Sequence, residues 1–318
     1  MNTLLAENTG RVDEPSQDDE IARAQRAIER LIAPVSWSEF ISTYQGKEPL
    51  YVSGRPEEFA QLADASRVRE LIESGNPWQF RRQPELYLDG TFVPHKDLVD
   101  VYTDMDDREA RAPRLNRIKK LLQAGATVNS FGQEAHFPGL AALKRDFAKA
   151  FSAEVEVATF YSQKDHQGLT PHYDCVEIFV LQISGHKRWY VSSQRVASPL
   201  VGYGTTTRYA DEAPHAQIDL APGDLLYMPR GTFHQAVALS EESLHATVAV
   251  KLPSYLDMLT ALFRCAPELD AIRSDLPIGG RKAWAESGPA LFRHLQAALE
   301  SPLFAQELDR LLVVRSGG

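Results

Sequence analysis

The sequence has few cysteines, no long apolar run and no excess of positive charge. Its 318 residues include two cysteines, Cys175 and Cys265, too few for a disulfide framework. No apolar run approaches the roughly 18 residues that a membrane-spanning helix needs. Lys and Arg number 34 against 43 Asp and Glu, and the resulting net charge of -9 argues against a surface for duplex nucleic acid. We therefore expect a cytoplasmic protein that binds neither membranes nor duplex nucleic acid, and whose acidity suits a basic partner.

Composition divides the chain into three regions. Residues 1–20 are polar and acidic with little to bury, which predicts a mobile tail. Residues 21–254 begin with mixed helical and strand patterns and continue into short strands, which predicts one domain with an N-terminal α/β segment, whose strand-rich part should be the functional core. Residues 255–318 carry apolar residues three and four apart, which predicts a helical region. The predicted fold is mainly β with helices.

Local patterns predict individual elements within these regions. A helix is expected behind Ser36, and further helices and a strand follow from apolar spacing and turn residues. The predicted elements are a helix from Ile21 to Ile32, a helix over Trp37–Tyr44, a strand over Pro49–Ser53, a helix over Ser66–Ser74, strands between Val155 and Val250, and helices over Tyr255–Cys265 and Pro289–Leu299.

Two segments of the strand-rich block carry residues typical of metal ligands. The first is His172-Tyr173-Asp174, followed by an apolar strand to Ile183, the turn Ser184-Gly185-His186 and a strand that starts at Lys187. We expect the two strands to form a hairpin. The second segment runs from the Pro222-Gly223-Asp224 turn through a short apolar strand to His234. Each segment therefore delivers polar side chains next to a predicted strand.

Strand geometry suggests how these side chains combine. Residues i and i+2 of a strand face the same way, so His172 and Asp174 present an imidazole and a carboxylate side by side. His234 then completes a set of two histidines and one carboxylate, the facial triad that leaves open positions on a non-haem Fe(II) centre. A closed structural zinc site would need a fourth protein ligand. An isolated His-x-Asp also occurs by chance, so the whole context carries the prediction.

Both segments resemble a known family. Residues 168–191, GLTPHYDCVEIFVLQISGHKRWYV, and residues 222–236, PGDLLYMPRGTFHQA, are similar to the JmjC-type ribosomal oxygenases, which are cupin-fold protein hydroxylases. A weaker similarity extends over about residues 35 to 285. The resemblance implies a double-stranded β-helix, an eight-stranded jelly roll surrounded by helices. It also implies an enzyme that uses Fe(II), 2-oxoglutarate and O2.

The resemblance also assigns further residues and a partner. It implies that Lys187 binds the distal carboxylate of 2-oxoglutarate, and that Ser162 binds the same carboxylate. Ordinary roles stay open for both, a solvated lysine in the hairpin and a plain core serine. The helical region 255–318 is expected to form a homodimer. The family's substrates are arginine or histidine side chains of ribosomal proteins. The family's winged-helix domain is not expected after Pro253.

Other residues attract attention without supporting a role. We expect His186 in a turn, His215 in a loop and His245 on a strand to be surface or packing histidines. Cys175 should be buried on the strand face opposite Asp174. Trp189 shares strand parity with Lys187 and either lines a pocket or packs in the core. Residues 202–204 are expected to form a flexible loop.

Different functions remain open at this point. The leading hypothesis is hydroxylation of an amino-acid side chain in a protein or peptide. The same chemistry on a small molecule, a free amino acid or a biosynthetic peptide is the main alternative. A cupin that binds without turnover is a third possibility. A metallocupin that needs no cosubstrate would have no use for Lys187.

Overall fold

The structure, a computed structural model, describes residues 16–79, 82–163, 166–200, 202, 208–210 and 215–316. Its strands, in chain order, are β1 (Leu50–Val52), β2 (Glu85–Leu88), β3 (Thr91–Phe92), β4 (Val99–Thr103), β5 (Glu109–Pro113), β6 (Thr127–Phe131), β7 (Glu154–Gln163), β8 (Glu177–Ser184), β9 (Lys187–Arg195), β10 (His215–Leu220), β11 (Leu225–Met228), β12 (Thr232–Ala238) and β13 (Glu242–Lys251). Its α-helices are α1 (Gln17–Ile32), α2 (Trp37–Glu39), α3 (Pro56–Ala60), α4 (Ala65–Ser74), α5 (Leu115–Gln123), α6 (Pro138–Phe151), α7 (Tyr255–Cys265), α8 (Asp270–Arg273), α9 (Gly280–Glu286), α10 (Gly288–Leu299) and α11 (Pro302–Ser316).

Two antiparallel sheets form the centre of the fold. The large sheet has the strand order β1-β11-β8-β13-β7-β6-β2-β3, and the small sheet has the order β10-β9-β12. A separate ribbon pairs β4 with β5. Because the chain crosses between the large and small sheets, the strands from β7 to β13 wrap around one interior. This arrangement is the cupin type of double-stranded β-helix, as predicted.

Alternating side chains of β8 separate two apolar cores. Phe179 and Leu181 are fully buried in the core that the large sheet shares with the N-terminal helices. Ile178 and Val180 face the other way and pack with Trp189 of the small sheet. A strand buried on both faces has apolar residues at consecutive positions, which explains the continuous apolar run in this part of the sequence. Apolar side chains therefore fill part of the interior between the two sheets, and a cavity occupies another part.

The predicted hairpin between the strands on either side of Gly185 is wrong. Strand β8 pairs with β11 and β13, whereas β9 pairs with β10 and β12. Both edges of β8 are already occupied, so the turn instead carries the chain from the large sheet to the small one. Gly185 has a φ of +65° and a Cβ there would lie 2.1 Å from the carbonyl oxygen of Glu242. Only glycine fits this close approach.

One strand of the predicted eight-stranded roll is reduced to two isolated bridges. Gln167 pairs with Val237 and His172 pairs with His234, both antiparallel, while the residues between them form no regular ladder. The sequence pattern predicted that His172 and Asp174 share a regular strand. In the structure they do not. Because the strand is interrupted, this wall of the roll is open. The polar side chains of the interrupted segment lie at the opening and are partly exposed.

The first helix begins four residues earlier than predicted. Helix α1 starts at Gln17, inside the segment that composition assigned to a mobile tail, and residues 1–15 lie outside the described residues. The Ser16 hydroxyl accepts a hydrogen bond from the Asp19 backbone N–H, and the Asp19 carboxylate accepts one from Ser16. Acidic residues favour the first turn of a helix because they oppose its dipole. The same acidic residues had suggested a tail.

Other predicted elements match closely. Helix α7 has the predicted bounds, and Ser36 caps a helix whose second half, Phe40–Tyr44, is π-helical. Of the predicted loop 202–204, only Gly202 lies within the described residues. The C-terminal helices enclose a small core of their own, which includes Leu262 and Phe304. None of the described helices combines the length and apolar character needed to cross a bilayer.

Candidate active site

Three side chains converge at the open wall of the roll. His172, Asp174 and His234 each offer a ligand atom, and these atoms lie within 4.8 Å of one another. The distance from His234 Nε2 to Asp174 Oδ2 is 3.4 Å, and the two imidazole ring centroids are 4.4 Å apart. His234 is buried, whereas His172 and Asp174 are partly exposed. The three residues predicted from the sequence therefore meet, and one side of the group stays accessible.

Backbone hydrogen bonds hold this group in place. The His172 N–H donates to the His234 carbonyl oxygen at 3.1 Å, and the His234 N–H donates to the His172 carbonyl oxygen at 2.8 Å. The Gly231 N–H donates to the carbonyl oxygen of Asp174 at 2.8 Å. Asp174 thus reaches the histidines from the segment that leads into β8. His234 of β12 holds the His172 end of that segment, and Gly231, just before β12, holds the Asp174 end.

The two histidine rings are oriented by the same device. Nδ1 of His172 lies 2.9 Å from the Thr170 carbonyl oxygen, and Nδ1 of His234 lies 2.9 Å from the Thr232 carbonyl oxygen. A carbonyl oxygen only accepts, so Nδ1 carries the proton and Nε2 keeps its lone pair. Burial, followed by the neighbouring His172, lowers the pKa of His234 to about 4. Both rings therefore direct Nε2 toward a metal position, and each makes the outer hydrogen bond common at such sites.

A cavity of about 380 Å³ extends from this group between the two sheets. Its walls combine apolar side chains with many polar and charged ones. The polar lining residues are Arg82, Glu85, Tyr87, Thr127, Asn129, Glu156, His172, Asp174, Lys187, Trp189, His234, His245 and Thr247.

Lys187 is a buried cation in this cavity without an anionic partner. It is 4% exposed, and Nζ donates a hydrogen bond to Ser162 Oγ at 2.8 Å. No carboxylate oxygen of the described residues lies within 4.0 Å of Nζ. Burial lowers the pKa of Lys187 to about 7 because nothing nearby stabilises its charge. A buried lysine of this kind is costly unless an anion joins it.

Hydroxyl groups complete the surroundings of Lys187. Thr127 Oγ1 donates to Ser162 Oγ at 3.1 Å, so the Ser162 oxygen accepts from both Thr127 and Lys187. A hydroxyl accepts two hydrogen bonds and donates one, so the Ser162 proton remains for another acceptor. Lys187 and Ser162 together present N–H and O–H donors, which suit an anion. Sequence analysis had singled out Ser162 and missed Thr127.

His245 lies in the cavity wall beside Lys187. Its ring stacks on Phe160 at a centroid distance of 4.8 Å and meets the Trp189 edge at 5.4 Å. Nδ1 is buried with no hydrogen-bond partner among the described residues. Burial, and then the charge of Lys187, lower the pKa of His245 well below its ordinary value. The packing role expected for His245 is present, and Trp189 lines the cavity in addition to packing in the core.

The other residues that the sequence singled out lie outside the group formed by His172, Asp174 and His234. His186 lies in the turn after β8, as expected, and its side chain is exposed. His215 is not in a loop, because it opens β10 and packs its ring against Tyr190. Cys175 is only partly buried, since the chain is not yet a regular strand at this point, and burial still raises the pKa of its thiol.

Sequence analysis missed a group of polar side chains on β2 and β6. Glu85 and Tyr87 face the cavity from β2, and Thr127 and Asn129 face it from β6. The alternation in Glu85-Leu86-Tyr87-Leu88 indicates that the two polar residues share one face of a strand. It does not indicate what that face contacts, because these strands precede the triad by 40 or more residues.

Comparison with known proteins finds a family match over the strand-rich part of the chain. Residues 137–258 match the family model described as the JmjC domain. The matched segment contains the triad, Lys187 and Ser162. It begins just before α6 and ends within α7, so the β2 and β6 residues of the cavity lie outside it.

Individual relatives extend the similarity over most of the chain. The chain is 24% identical over 259 residues to the bifunctional lysine-specific demethylase and histidyl-hydroxylase NO66 of Aedes aegypti, which covers 78% of this chain and 38% of that protein. It is 29% identical over 275 residues to ribosomal oxygenase 1 of Gallus gallus, which covers 81% of this chain and 42% of that protein. The chain thus spans about two fifths of the length of these curated relatives.

A solved structure confirms the fold. The Escherichia coli ribosomal oxygenase YcfD, in complex with cobalt and 2-oxoglutarate, superposes with a TM-score of 0.60 at 16% sequence identity. The superposition covers 88% of this chain and 71% of the YcfD chain. The cupin-type architecture predicted from the sequence is thus shared with a ribosomal oxygenase of known structure.

Removing one triad residue is expected to abolish tight metal binding. We predict that His172→Ala, Asp174→Asn and His234→Ala each weaken Mn(II) binding by more than about 100-fold, since loss of an outer-shell partner alone costs about 10–100-fold. Mn(II) titration followed by electron paramagnetic resonance of the free ion measures this. His186→Ala, which removes an exposed histidine, is the matched control. Unchanged Mn(II) affinity in any of the three variants would contradict the assignment.

The buried lysine predicts an unusual pH dependence of stability. The pKa of Lys187 is about 7 in the folded protein and ordinarily 10.5, so between these values the unfolded chain binds more protons. Wild-type stability therefore rises with pH across this window through Lys187, and Lys187→Met lacks this contribution. We expect Lys187→Met to be more stable than wild type by on the order of a few kcal/mol near pH 6. The difference should shrink as the pH approaches 10.

Urea unfolding at several pH values measures this difference in the free energy of unfolding. Lys120→Met, which changes an exposed lysine of α5, controls for the loss of a surface charge. A Lys187→Met offset that stays constant from pH 6 to pH 10 would show that Lys187 does not carry the depressed pKa.

Proposed function

We propose that this protein is a 2-oxoglutarate-dependent oxygenase that uses Fe(II) and O2 to hydroxylate an amino-acid side chain of a protein or peptide. One observation carries the proposal. The same cavity contains three side chains placed to bind a metal ion and a buried lysine with no carboxylate partner among the described residues. A metal and a dicarboxylate together satisfy both features. The relatives named as oxygenases and hydroxylases support the same conclusion.

The donor set fits Fe(II). Two imidazole nitrogens and one carboxylate oxygen approach one another, and this combination is typical of non-haem Fe(II) oxygenases. The absence of a fourth His, Cys, Asp or Glu in this group of described residues leaves positions for cosubstrate and O2. We assign His172, Asp174 and His234 as the ligands that would hold the iron. YcfD, which shares the fold, was solved in complex with cobalt and 2-oxoglutarate, and this supports the proposal of a metal and this cosubstrate here.

The groups around Lys187 fit a carboxylate. Lys187 Nζ and the Ser162 hydroxyl offer hydrogen-bond donors inside the cavity, and no described acidic group competes for them. A dicarboxylate with one carboxylate at the triad would need a cation for its other carboxylate. Lys187 provides this cation in the same cavity. We assign Lys187 as the main binding residue for the distal carboxylate of 2-oxoglutarate, with Ser162 as its hydroxyl partner and Thr127 holding Ser162 in place.

The protein's own contribution to the chemistry is placement. Bound iron would activate O2, which is the oxidant: one oxygen atom would enter succinate as 2-oxoglutarate loses CO2, and the other would convert a substrate C–H bond to C–OH. His172 and His234 keep Nε2 available through their Nδ1 hydrogen bonds, and Asp174 adds the negative charge. Ile178 and Trp189 provide apolar walls beside these polar groups.

The names of the relatives and the net charge of the chain indicate the substrate class. NO66 of Aedes aegypti is named a histidyl-hydroxylase, and the relatives from Gallus gallus and Escherichia coli are named ribosomal oxygenases. The net charge of -9 suits a basic protein partner, since complementary charge speeds association. We therefore favour an amino-acid side chain in a protein or peptide. There are two alternatives, an oxygenase that acts on a small molecule and a binding module without turnover. The following measurement distinguishes both from the proposed function.

Cosubstrate turnover tests the proposed chemistry. We expect the wild-type protein with Fe(II) to bind 2-oxoglutarate without O2, and to release succinate when O2 is admitted. Lys187→Met should keep Mn(II) binding and raise the 2-oxoglutarate concentration needed for half-maximal turnover by about tenfold or more, because a hydrogen-bonded ion pair is worth about 1.5–3 kcal/mol. Lys120→Met should match the wild type.

The outcomes discriminate among the functions. Succinate release that is stimulated by peptides supports the proposal, whereas stimulation by free amino acids or other small molecules alone would assign the alternative substrate class. Binding of neither metal nor 2-oxoglutarate would favour a cupin without catalytic activity. Equal 2-oxoglutarate requirements in wild type and Lys187→Met would remove Lys187 from the cosubstrate site.

An exposed apolar stripe supports the proposed homodimer. Tyr255, Leu259 and Phe263 recur every four residues on α7, and their side chains are 86%, 48% and 70% exposed. Residues four apart lie on one face of a helix, so the stripe is continuous. Phe292 of α10 is also exposed, at 71%. We propose that a second copy of the chain covers this helical region.

Light scattering on a sizing column tests this assembly. We expect a particle of twice the chain mass of 35.5 kDa at micromolar concentration, and a monomer for Leu259→Lys combined with Phe263→Asp. Met105→Asp, at a fully exposed position of the β4–β5 turn, is the control and should remain dimeric. A wild-type monomer at this concentration would contradict the proposal.

The cytoplasmic location predicted from the cysteine content belongs to the same proposal. Cys175 and Cys265 are both free thiols, and Cys265 is buried in the core of the C-terminal helices. Free cysteines suit a reducing compartment, where thiols are kept reduced.

A further inference from the structure

The two-residue turn between β2 and β3 lies against the segment that leads to His172. The two strands pair antiparallel and are joined by Asp89 and Gly90, whose φ angles are +47° and +76°. Positive φ at both central residues is typical of a type I′ turn, for which Asp-Gly is a preferred sequence. The turn lies outside residues 137–258, which the family model matches. A contact between the turn and the triad therefore joins two separate parts of the chain.

Gly90 contacts the segment 167–172 between the two points where β12 holds it. Two isolated bridges join β12 to the segment, one at Gln167 and one at His172. Between these residues, Leu169 forms a parallel bridge with Gly90. The Gly90 N–H also donates a hydrogen bond to the Gln167 carbonyl oxygen at 3.2 Å. The segment is therefore held at its two ends by a strand and in its middle by the turn.

Close packing at Thr170 connects the turn to the imidazole ring of His172. A Cβ atom on Gly90 would lie 2.9 Å from Thr170 Cγ2, well inside the roughly 3.5–4.0 Å at which carbon atoms pack. Thr170 is branched at Cβ and has few rotamers, so its methyl group does not readily turn away. The Thr170 carbonyl oxygen lies 2.9 Å from His172 Nδ1 and orients that ring. Gly90 thus acts on His172 through one intermediate residue.

A second contact from the turn is weaker. Nδ1 of His166 lies 3.0 Å from Asp89 Oδ1, and the two side chains are 37% and 70% exposed. Exposed ion pairs contribute little to stability, because water and salt screen them. The backbone hydrogen bond and the close packing of Gly90 are therefore the stronger constraints on the segment.

We propose that Gly90 is a positioning residue of the metal centre, which keeps the His172 imidazole directed toward Asp174 and His234. The inference rests on the proposed oxygenase function, in which His172 is a metal ligand. The hydrogen bonds to β12 fix the backbone of His172, but a ligand side chain must itself be held within about 0.5 Å of its working position. Gly90 does not line the cavity, so its effect passes through Thr170.

A Gly90→Ala variant tests this role by two measurements. The new methyl group should displace Thr170, and we expect Mn(II) affinity to fall by about tenfold or more, as for loss of an outer-shell partner. Electron paramagnetic resonance of the free ion measures this affinity. In the metal-free protein, the amide hydrogens of His172 and His234 should exchange faster with solvent by nuclear magnetic resonance, because their mutual hydrogen bonds are loosened.

Two further variants separate this effect from ordinary backbone strain. Gly46→Ala makes the same substitution at a φ of +69°, where an added Cβ meets nothing within 4 Å. It should lose stability to urea through the same strain and keep the wild-type Mn(II) affinity. Gly90→Ala combined with Thr170→Ser keeps the strained φ but removes the clashing methyl group. This double variant should recover most of the Mn(II) affinity of Thr170→Ser alone.

The outcomes separate the positioning role from the oxygenase function. Unchanged Mn(II) affinity and amide exchange in Gly90→Ala, an equal loss of affinity in Gly46→Ala, or no recovery in the double variant would each overturn the positioning role. Wild-type protein that binds no Mn(II) overturns the oxygenase function, and amide exchange in the metal-free variants then decides whether Gly90 positions His172. An effect of Gly90→Ala on Mn(II) affinity in a protein that releases no succinate overturns the oxygenase function alone.

Discussion

Two backbone hydrogen bonds between His172 and His234 are the constraint on which the site depends. They join a segment with no regular ladder of its own to β12, and they set the two imidazole rings 4.4 Å apart. Asp174 follows two residues later and is fixed in turn by the Gly231 N–H. Because the backbone makes these bonds, the side chains remain free to point at a common centre. A catalytic group that is held by the scaffold in this way needs little reorganisation.

The rest of the cavity follows from the way two sheets enclose one interior. The chain passes from β8 in the large sheet to β9 in the small one through Gly185, so Lys187 enters the cavity opposite the large sheet. There it meets Ser162 of β7, which Thr127 of β6 supports. One end of the cavity thus offers metal ligands, and another offers a cation with hydroxyl donors. This separation of ligand types is what an oxygenase with a dicarboxylate cosubstrate requires.

The sequence predicted the parts of the site that adjoin one another along the chain. His172 and Asp174 are two residues apart, His234 follows a marked Pro-Gly turn, and Lys187 opens a strand, so local pattern and family resemblance were enough to select them. The structure brings these residues to one cavity, while their roles stay proposals. The helix capped by Ser36 and helix α7 were likewise predicted by local spacing.

The remainder depends on long-range pairing, which local patterns do not encode. Thr127, Asn129 and Glu85 enter the cavity only because β6 and β2 extend the large sheet beyond β7. The expected hairpin after β8 failed for the same kind of reason, since strand partners already occupied both edges of β8. The start of α1 was missed because acidic residues suit both a disordered tail and the first turn of a helix.

A crystal structure with Mn(II) and 2-oxoglutarate, measured at the manganese absorption edge, tests the central claim most directly. We expect one anomalous peak bonded to His172 Nε2, His234 Nε2 and the Asp174 carboxylate. Density for 2-oxoglutarate should run from this peak to the Lys187 ammonium group and the Ser162 hydroxyl. A metal peak elsewhere, or 2-oxoglutarate bound without contact to Lys187, would contradict the proposed site.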